Sequence, residues 1–164
     1  MDLIKDRFNQ NEKTNLISKV NQGEFEMKFD TNKNIGNAGL SCAIAYFGSN
    51  GYTVSIPLND TQDYDLVVDI DGILKKVQVK ATNVKDTNNS YKISLRTISG
   101  TTRKVCKTVI DTDIDLLFCL CGDGSMFLIP KEIIKNTNTL SLYKTKSKFS
   151  NKNSIDYSKY LVTL

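Results

Sequence analysis

Apolar residues at Leu40, Ala43, Ile44 and Phe47 recur at the three-and-four spacing of a helix that buries one face, and Gly48-Ser49-Asn50-Gly51 stops it. Small residues at the start of this helix, Gly36, Ala38, Gly39 and Ser41, permit close approach of another backbone. The pattern then shortens to the alternation of strands: Tyr52 to Pro57, Tyr64 to Ile70, Ile73 to Ala81 and Tyr91 to Thr97. Asp71-Gly72 joins the second and third of these runs. That dipeptide is a strong hairpin signal, because the favoured two-residue turn needs positive φ at both positions. A polar loop is expected over Ser99 to Lys107. Ile114 to Cys121 and Ser125 to Ile129 then read as a second hairpin across Gly122-Asp123-Gly124. Pro130 opens a short helix over Lys131 to Lys135, followed by a short strand before residue 143 and an extended basic tail. Ahead of all this, Leu3, Ile4, Phe8, Leu16, Ile17 and Val20 fit two short amphipathic helices. They read equally as a packing arm, an oligomerisation element or a DNA-contacting extension.

The order of elements points to one α/β (α+β) domain around a mixed sheet. It spans residues 35–142, with a helical extension at 1–34 and a basic tail at 143–164. A chain of 164 residues is about one domain's worth, and 40% hydrophobic with 24% charged residues is ordinary for a soluble protein. No apolar stretch approaches the ~20 residues of a membrane span, and the first residues lack a secretory pattern. A cytoplasmic protein without a membrane partner is expected.

Charge divides the chain. Residues 1–83 carry 9 basic against 11 acidic side chains, and residues 84–164 carry 13 against 7. A basic half beside a cluster of carboxylates suits a polyanionic partner, although a lysine-rich solvated surface has the same composition. The chain has four cysteines and no histidine. Cys119 and Cys121 share one face of a strand, and with distant Cys42 and Cys106 they do not give zinc-ligand spacing; buried free thiols are expected. The lack of histidine excludes His-dependent triads and His-ligated metal sites. Acid–base work must fall to Asp, Glu, Lys, Tyr, Cys or a metal-bound water. No Gly-rich phosphate loop is present, so no nucleotide cofactor is expected.

The candidate chemistry lies in the Asp71-Gly72 hairpin. If residue 70 stands opposite 73, Asp65 falls opposite Gln78, and Gln78 and Lys80 share a face by the two-residue period. An acid, an amide carbonyl and an ammonium then converge at one end of the hairpin. A hard Mg²⁺ ion wants oxygen ligands, here the Asp65 carboxylate, the Gln78 amide oxygen and the Val79 carbonyl. Lys80 is placed to orient a water and to offset charge on a phosphate. Taken alone, the same residues also fit a turn cap at Asp65 and a solvent-facing Gln78 and Lys80.

The surroundings add to this. The stretch from Gly36-Asn37-Ala38-Gly39-Leu40 through Tyr64-Asp65-Leu66 to Val77-Gln78-Val79-Lys80, with Asp115-Leu116-Leu117-Phe118 and Gly124 to Pro130 downstream, resembles the PD-(D/E)XK nuclease superfamily. It is most similar to the group I intron-associated members. The resemblance implies a restriction-endonuclease-like core, a central mixed sheet flanked by helices. It further implies Mg²⁺-dependent cleavage of double-stranded DNA (Mn²⁺ a possible substitute), in an intron or phage setting, by a homodimer or higher homo-oligomer. Asp65 matches the metal-binding aspartate, Gln78 the second ligand and Lys80 the catalytic lysine. Many members carry a Glu on the helix before the sheet. Here that position reads Leu40, with Asn37 and Ser41 the nearby polar side chains, and Asp63 and Asp69 are possible supplementary carboxylates.

For DNA contact the candidates are Arg96, Arg103, Lys104 and Lys107 around the polar loop, and Lys144, Lys146 and Lys148 in the tail. Aromatic residues interleaved with the tail lysines, Tyr143, Phe149, Tyr157 and Tyr160, read more readily as packing anchors. A nuclease fold retained only to bind DNA, or to bind a partner protein, is the alternative reading.

Overall fold

The computed structural model describes Met27 and residues 31–59, 61–99, 105–135, 137–144 and 155–164. The expected helices before residue 27, and the side chains of Arg103, Lys104, Lys146 and Lys148, lie outside the described residues.

The first described element is α1, Asn32–Ser49. Thr31 caps it, its hydroxyl accepting the Asn34 N–H at 3.2 Å and so satisfying one of the donors a helix start leaves open. Ile35, Gly39, Ala43 and Phe47 form its buried stripe at four-residue spacing. Among the described residues ten strands follow in chain order: β1 Thr53–Ser55, β2 Leu66–Ile70, β3 Ile73–Thr82, β4 Tyr91–Ser94, β5 Arg96–Ser99, β6 Val105–Thr108, β7 Leu116–Cys121, β8 Met126–Pro130, β9 Thr139–Leu142 and β10 Leu161–Val162. Six of them make one sheet in the order β1-β2-β3-β7-β8-β10. β3 pairs with β7 in parallel and every other pairing in this sheet is antiparallel, so the sheet is mixed, as expected.

Both faces of the sheet are covered, which is why Leu117 to Cys121 are all buried and read as a continuous apolar run. On one face, α1 packs Ala43 and Phe47 onto Leu66, Val68, Val77, Phe118 and Leu120. The close approach expected of the small residues occurs at Gly39. A Cβ there would stand 3.0 Å from Ala81 Cβ and 3.2 Å from Val79 Cγ1, so α1 sits directly on β3. On the other face, Leu117, Cys119, Phe127 and Ile129 pack with Ile93, Leu140 and Leu142 of the small ribbon β4-β9 and with Leu95, which lies between β4 and β5. Cys42, Cys119 and Cys121 are free thiols, and burial pushes Cys121 up to about 12, an unreactive thiol inside the core.

Three local readings change. The strand expected over Tyr91 to Thr97 divides at Leu95, which is fully buried and sends its N–H to the Asn138 carbonyl while its own carbonyl takes the Val109 N–H. The chain therefore switches partners there, from β9 to β6. The polar loop expected to reach Lys107 gives way to strand at Val105. The helix expected over Lys131 to Lys135 is one 3₁₀ turn, Lys131–Ile133.

The tail changes most. Tyr157 is buried in the core, and Leu161–Val162 pair with Phe127 and Met126 to form the last strand of the sheet. Residues 155–162 are therefore part of the domain, and Tyr157 and Tyr160 do pack against its core. No helix among the described residues is long and apolar enough to cross a membrane.

Candidate active site

Turn geometry builds the site. Asp71 and Gly72 take φ values of 53° and 82°, the left-handed pair that matches the twist of two antiparallel strands. Asp69 accepts the Gly72 N–H at 2.8 Å. Asp69 is thereby a turn cap at the far end of the hairpin, not a supplement to the carboxylate of Asp65. The register runs from Ile70 opposite Ile73 to Leu66 opposite Val77. There the regular ladder ends: the Asp65 N–H also turns to the Val77 carbonyl, at 2.9 Å, so residues 65 and 66 both stand against Val77 and the expected pairing of Asp65 with Gln78 is replaced by a bulge.

Beyond that bond the side chain of Asp65 takes over from the backbone. Its Oδ2 accepts the Val79 N–H at 2.6 Å. The N–H and C=O of a strand residue leave on the same edge, so the Val79 carbonyl also faces the Asp65 side of β3. Gln78 is buried, 5% exposed. Its Nε2 donates to the Asp63 carbonyl at 2.9 Å, while its Oε1 is buried without a hydrogen-bond partner among the described residues. Leaving a buried acceptor unsatisfied costs about 1–3 kcal/mol, a cost that a ligand on this oxygen would remove.

Lys80 stands beside Cys119 of β7. Burial pulls its ammonium below the ordinary lysine value, with Asp65 and Cys119 acting in the opposite sense. Burial likewise pushes the Asp65 carboxyl above the usual carboxylate value, opposed by the Val79 N–H and by Lys80. The two groups feel each other's charge and both are disfavoured as ions by the site itself. Such a pair is poised for a ligand that supplies charge.

The remaining candidates divide. Asp63 joins the site through its carbonyl on Gln78, while its carboxylate pairs with Lys107 Nζ at 3.2 Å. Lys144 pairs with Asp123 at 3.1 Å. Arg96 is exposed on β5. Asn37 and Ser41 lie on the exposed side of α1, the Ser41 hydroxyl donating to the Asn37 carbonyl at 2.9 Å. Leu40 packs into the interface between helix and sheet, and α1 contains no Asp or Glu at all. Sequence reasoning missed the bonds linking Lys107, Asp63 and Gln78. They join three separate segments, and no local signal announces them.

The Asp65 carboxylate, Gln78 Oε1 and the Val79 carbonyl are all oxygen donors, the type of ligand that hard divalent cations would take. The orphaned Gln78 oxygen fits such a ligand, as does a carboxylate raised by its surroundings.

Comparisons with known proteins agree with this geometry. Residues 30–161 match the model of the PD-(D/E)XK endonuclease family, from just before α1 to the first residue of β10. Among solved structures the fold is similar to that of the bacterial homing endonuclease I-Ssp6803I. The two share 24% identity and a TM-score of 0.66, over 80% of this chain and 88% of that one. No curated protein matches the chain. The matched segment contains α1, the Asp71-Gly72 hairpin and the strands up to β9, and the chain belongs to the PD-(D/E)XK endonuclease family, enzymes that cleave DNA.

Proposed function

We propose that this endonuclease hydrolyses phosphodiester bonds of double-stranded DNA with a divalent cation, Mg²⁺ or its substitute Mn²⁺, held by Asp65, Gln78 and the Val79 carbonyl. The observation that carries this reading is the buried Oε1 of Gln78, without a partner among the described residues, on the strand whose Val79 N–H holds the Asp65 carboxylate. A bound cation supplies positive charge that polarises the scissile phosphate and acidifies nearby water. The protein's own groups do the rest. Asp65 is anchored by the Val79 N–H, so one of its oxygens is fixed while the other stays available. Lys80, whose ammonium burial pulls below the ordinary lysine value, is suited to orient the attacking water and to stabilise charge as it develops. With Asp65 the one carboxylate in this donor set, cation affinity without DNA is low, and substrate phosphate completes the shell.

The intron or phage setting rests on the likeness to a homing endonuclease. Two strands present two scissile phosphates to one site per chain, which suits a homodimer or higher homo-oligomer. The test is cleavage of plasmid and branched duplex with Mg²⁺ or Mn²⁺, against excess chelator. Undiminished cleavage in chelator overturns the metal mechanism, and DNA bound but uncut with every cation supports a binding module.

Gln78→Glu tests the donor set separately. It places a second carboxylate in a buried position, against the Asp63 carbonyl and near Asp65. We expect the metal-free variant to lose about 2 kcal/mol, or roughly 4–8 °C in Tm for a domain of this size. Millimolar Mn²⁺ should restore most of that loss, because a ligand bound only by the folded state stabilises it. Thermal scans with and without Mn²⁺ check this; a variant whose Tm ignores the cation argues against Gln78 as a ligand position.

DNA affinity should be mainly electrostatic. Because Tyr157 and β10 are structural, the test of the basic segment is substitution rather than truncation. The triple change Lys146→Ser, Lys148→Ser and Lys152→Ser should flatten the salt dependence by about 0.9 for each phosphate that is no longer neutralised. The cleavage position should not move, since phosphate contacts position and base contacts specify. Filter binding across a salt series measures the slope.

A further inference from the structure

We infer that Lys107 is a positioning residue for Gln78, acting through Asp63, rather than a direct DNA contact. The proposal rests on the nuclease reading of the hairpin and names what aims its amide. An amide side chain can present either its oxygen or its nitrogen to a given neighbour. The Asp63 carbonyl accepts only, so it selects Nε2, at 2.9 Å, and leaves Oε1 without a hydrogen-bond partner among the described residues. That selection holds only while Asp63 stays where it is.

Asp63 precedes β2 and has no ladder pairing of its own. What ties its side chain to the domain is Lys107 of β6, whose ammonium lies 3.2 and 3.5 Å from the two carboxylate oxygens. The pair is partly sheltered, the Asp63 side chain being 23% exposed and Lys107 40%. Tyr64 beside it adds a contact, its ring 5.6 Å from the Lys76 ammonium. Lys107 thus links the β5-β6 ribbon, whose connection carries Arg103 and Lys104, to the strand that orients the buried amide. Its charge is already engaged by Asp63, which is the reason it does not serve as a free phosphate contact.

The test uses the full chain, ¹⁵N-labelled and in chelator, and reads the Gln78 side-chain amide by NMR, so it needs no catalysis. In Lys107→Ala, and in Asp63→Asn, which keeps the carbonyl but loses the ion pair, amide exchange at Gln78 should quicken roughly fivefold to tenfold. Lys107→Arg should restore protection. In the same variants the Mn²⁺ concentration giving half-maximal cleavage should rise roughly 10-fold or more, as when an outer partner of a metal ligand is removed. The salt slope of DNA binding in chelator should stay at the wild-type value. Unchanged amide exchange in both variants overturns the proposal. So does a salt slope reduced by about 0.9 in Lys107→Ala, the mark of one fewer phosphate neutralised. Failure of the underlying reading looks different: wild type then cuts without any cation, or binds DNA and leaves it uncut with every cation, whatever the amide reports.

Discussion

Asp65→Asn should abolish cleavage and leave the protein as stable as wild type, or slightly more so. The amide oxygen of Asn can still accept the Val79 N–H that Oδ2 accepts at 2.6 Å, so the hairpin keeps its local bond. Folding mildly disfavours the charge at this position: burial raises the carboxyl above its ordinary value although the residue keeps an exposed face, so a neutral side chain removes only a small cost. The linkage has a definite sign. A carboxyl raised in the folded state destabilises the fold above its ordinary value and does so less as pH falls, so the variant should gain most at neutral pH and nothing in acid. Catalysis runs the other way. Charge stabilisation by a cation is worth several kcal/mol, and each ~1.4 kcal/mol is a factor of ten in rate, so a loss of roughly 10³-fold is expected. Single-turnover cleavage and thermal unfolding, measured on the same preparation, check both halves. An Asp65→Asn protein that cuts within tenfold of wild type removes Asp65 from the site.

Lys80→Met should cost roughly 10²–10⁴-fold in the cleavage step, the usual range for a positioned proton-transfer group. Duplex affinity in chelator should change by far less, since one side chain among many basic ones is removed. Stability should hold or rise. Methionine keeps most of the length of the stem, and burial already pulls the Lys80 ammonium down from its ordinary value, so the folded state loses an ion it disfavours. Lys80→Met that cleaves like wild type returns Lys80 to the reading of a partly buried strand residue. With Asp65→Asn it forms a pair in which activity falls while stability does not, the trade expected where a site is kept strained for function. Variants of the core behave oppositely: they lose stability first and activity only as a consequence.

The hairpin was legible in the sequence because its determinants are local. Asp71-Gly72 dictates the turn, and the two-residue period then fixes the ladder as far as Leu66 opposite Val77, one residue short of Asp65. The helix was legible for the same reason, its stripe of apolar residues and its Gly-rich stop being contiguous. The break at Leu95 was not, because what divides β4 from β5 is a pair of backbone bonds to Asn138 and Val109, far along the chain. Likewise Leu161–Val162 became a strand only because β8 offers it an open edge. At the site, residue type and register pointed to Asp65, Gln78 and Lys80, yet the orientation of the Gln78 amide depends on Asp63, fifteen residues away. Counting lysines likewise could not show that Lys107 and Lys144 face carboxylates at 3.2 and 3.1 Å. Formal charge is a property of the sequence, whereas pairing belongs to the tertiary fold.

The most direct test starts the reaction with the cation. Wild type and Asp65→Asn are each bound to duplex DNA at saturating protein in chelator, occupancy is confirmed by anisotropy, and excess Mg²⁺ or Mn²⁺ is then added. The account predicts a single-turnover burst of cut strands from wild type and none from the equally occupied variant. Equal cutting by both proteins, or cutting by wild type before the cation is added, would contradict it.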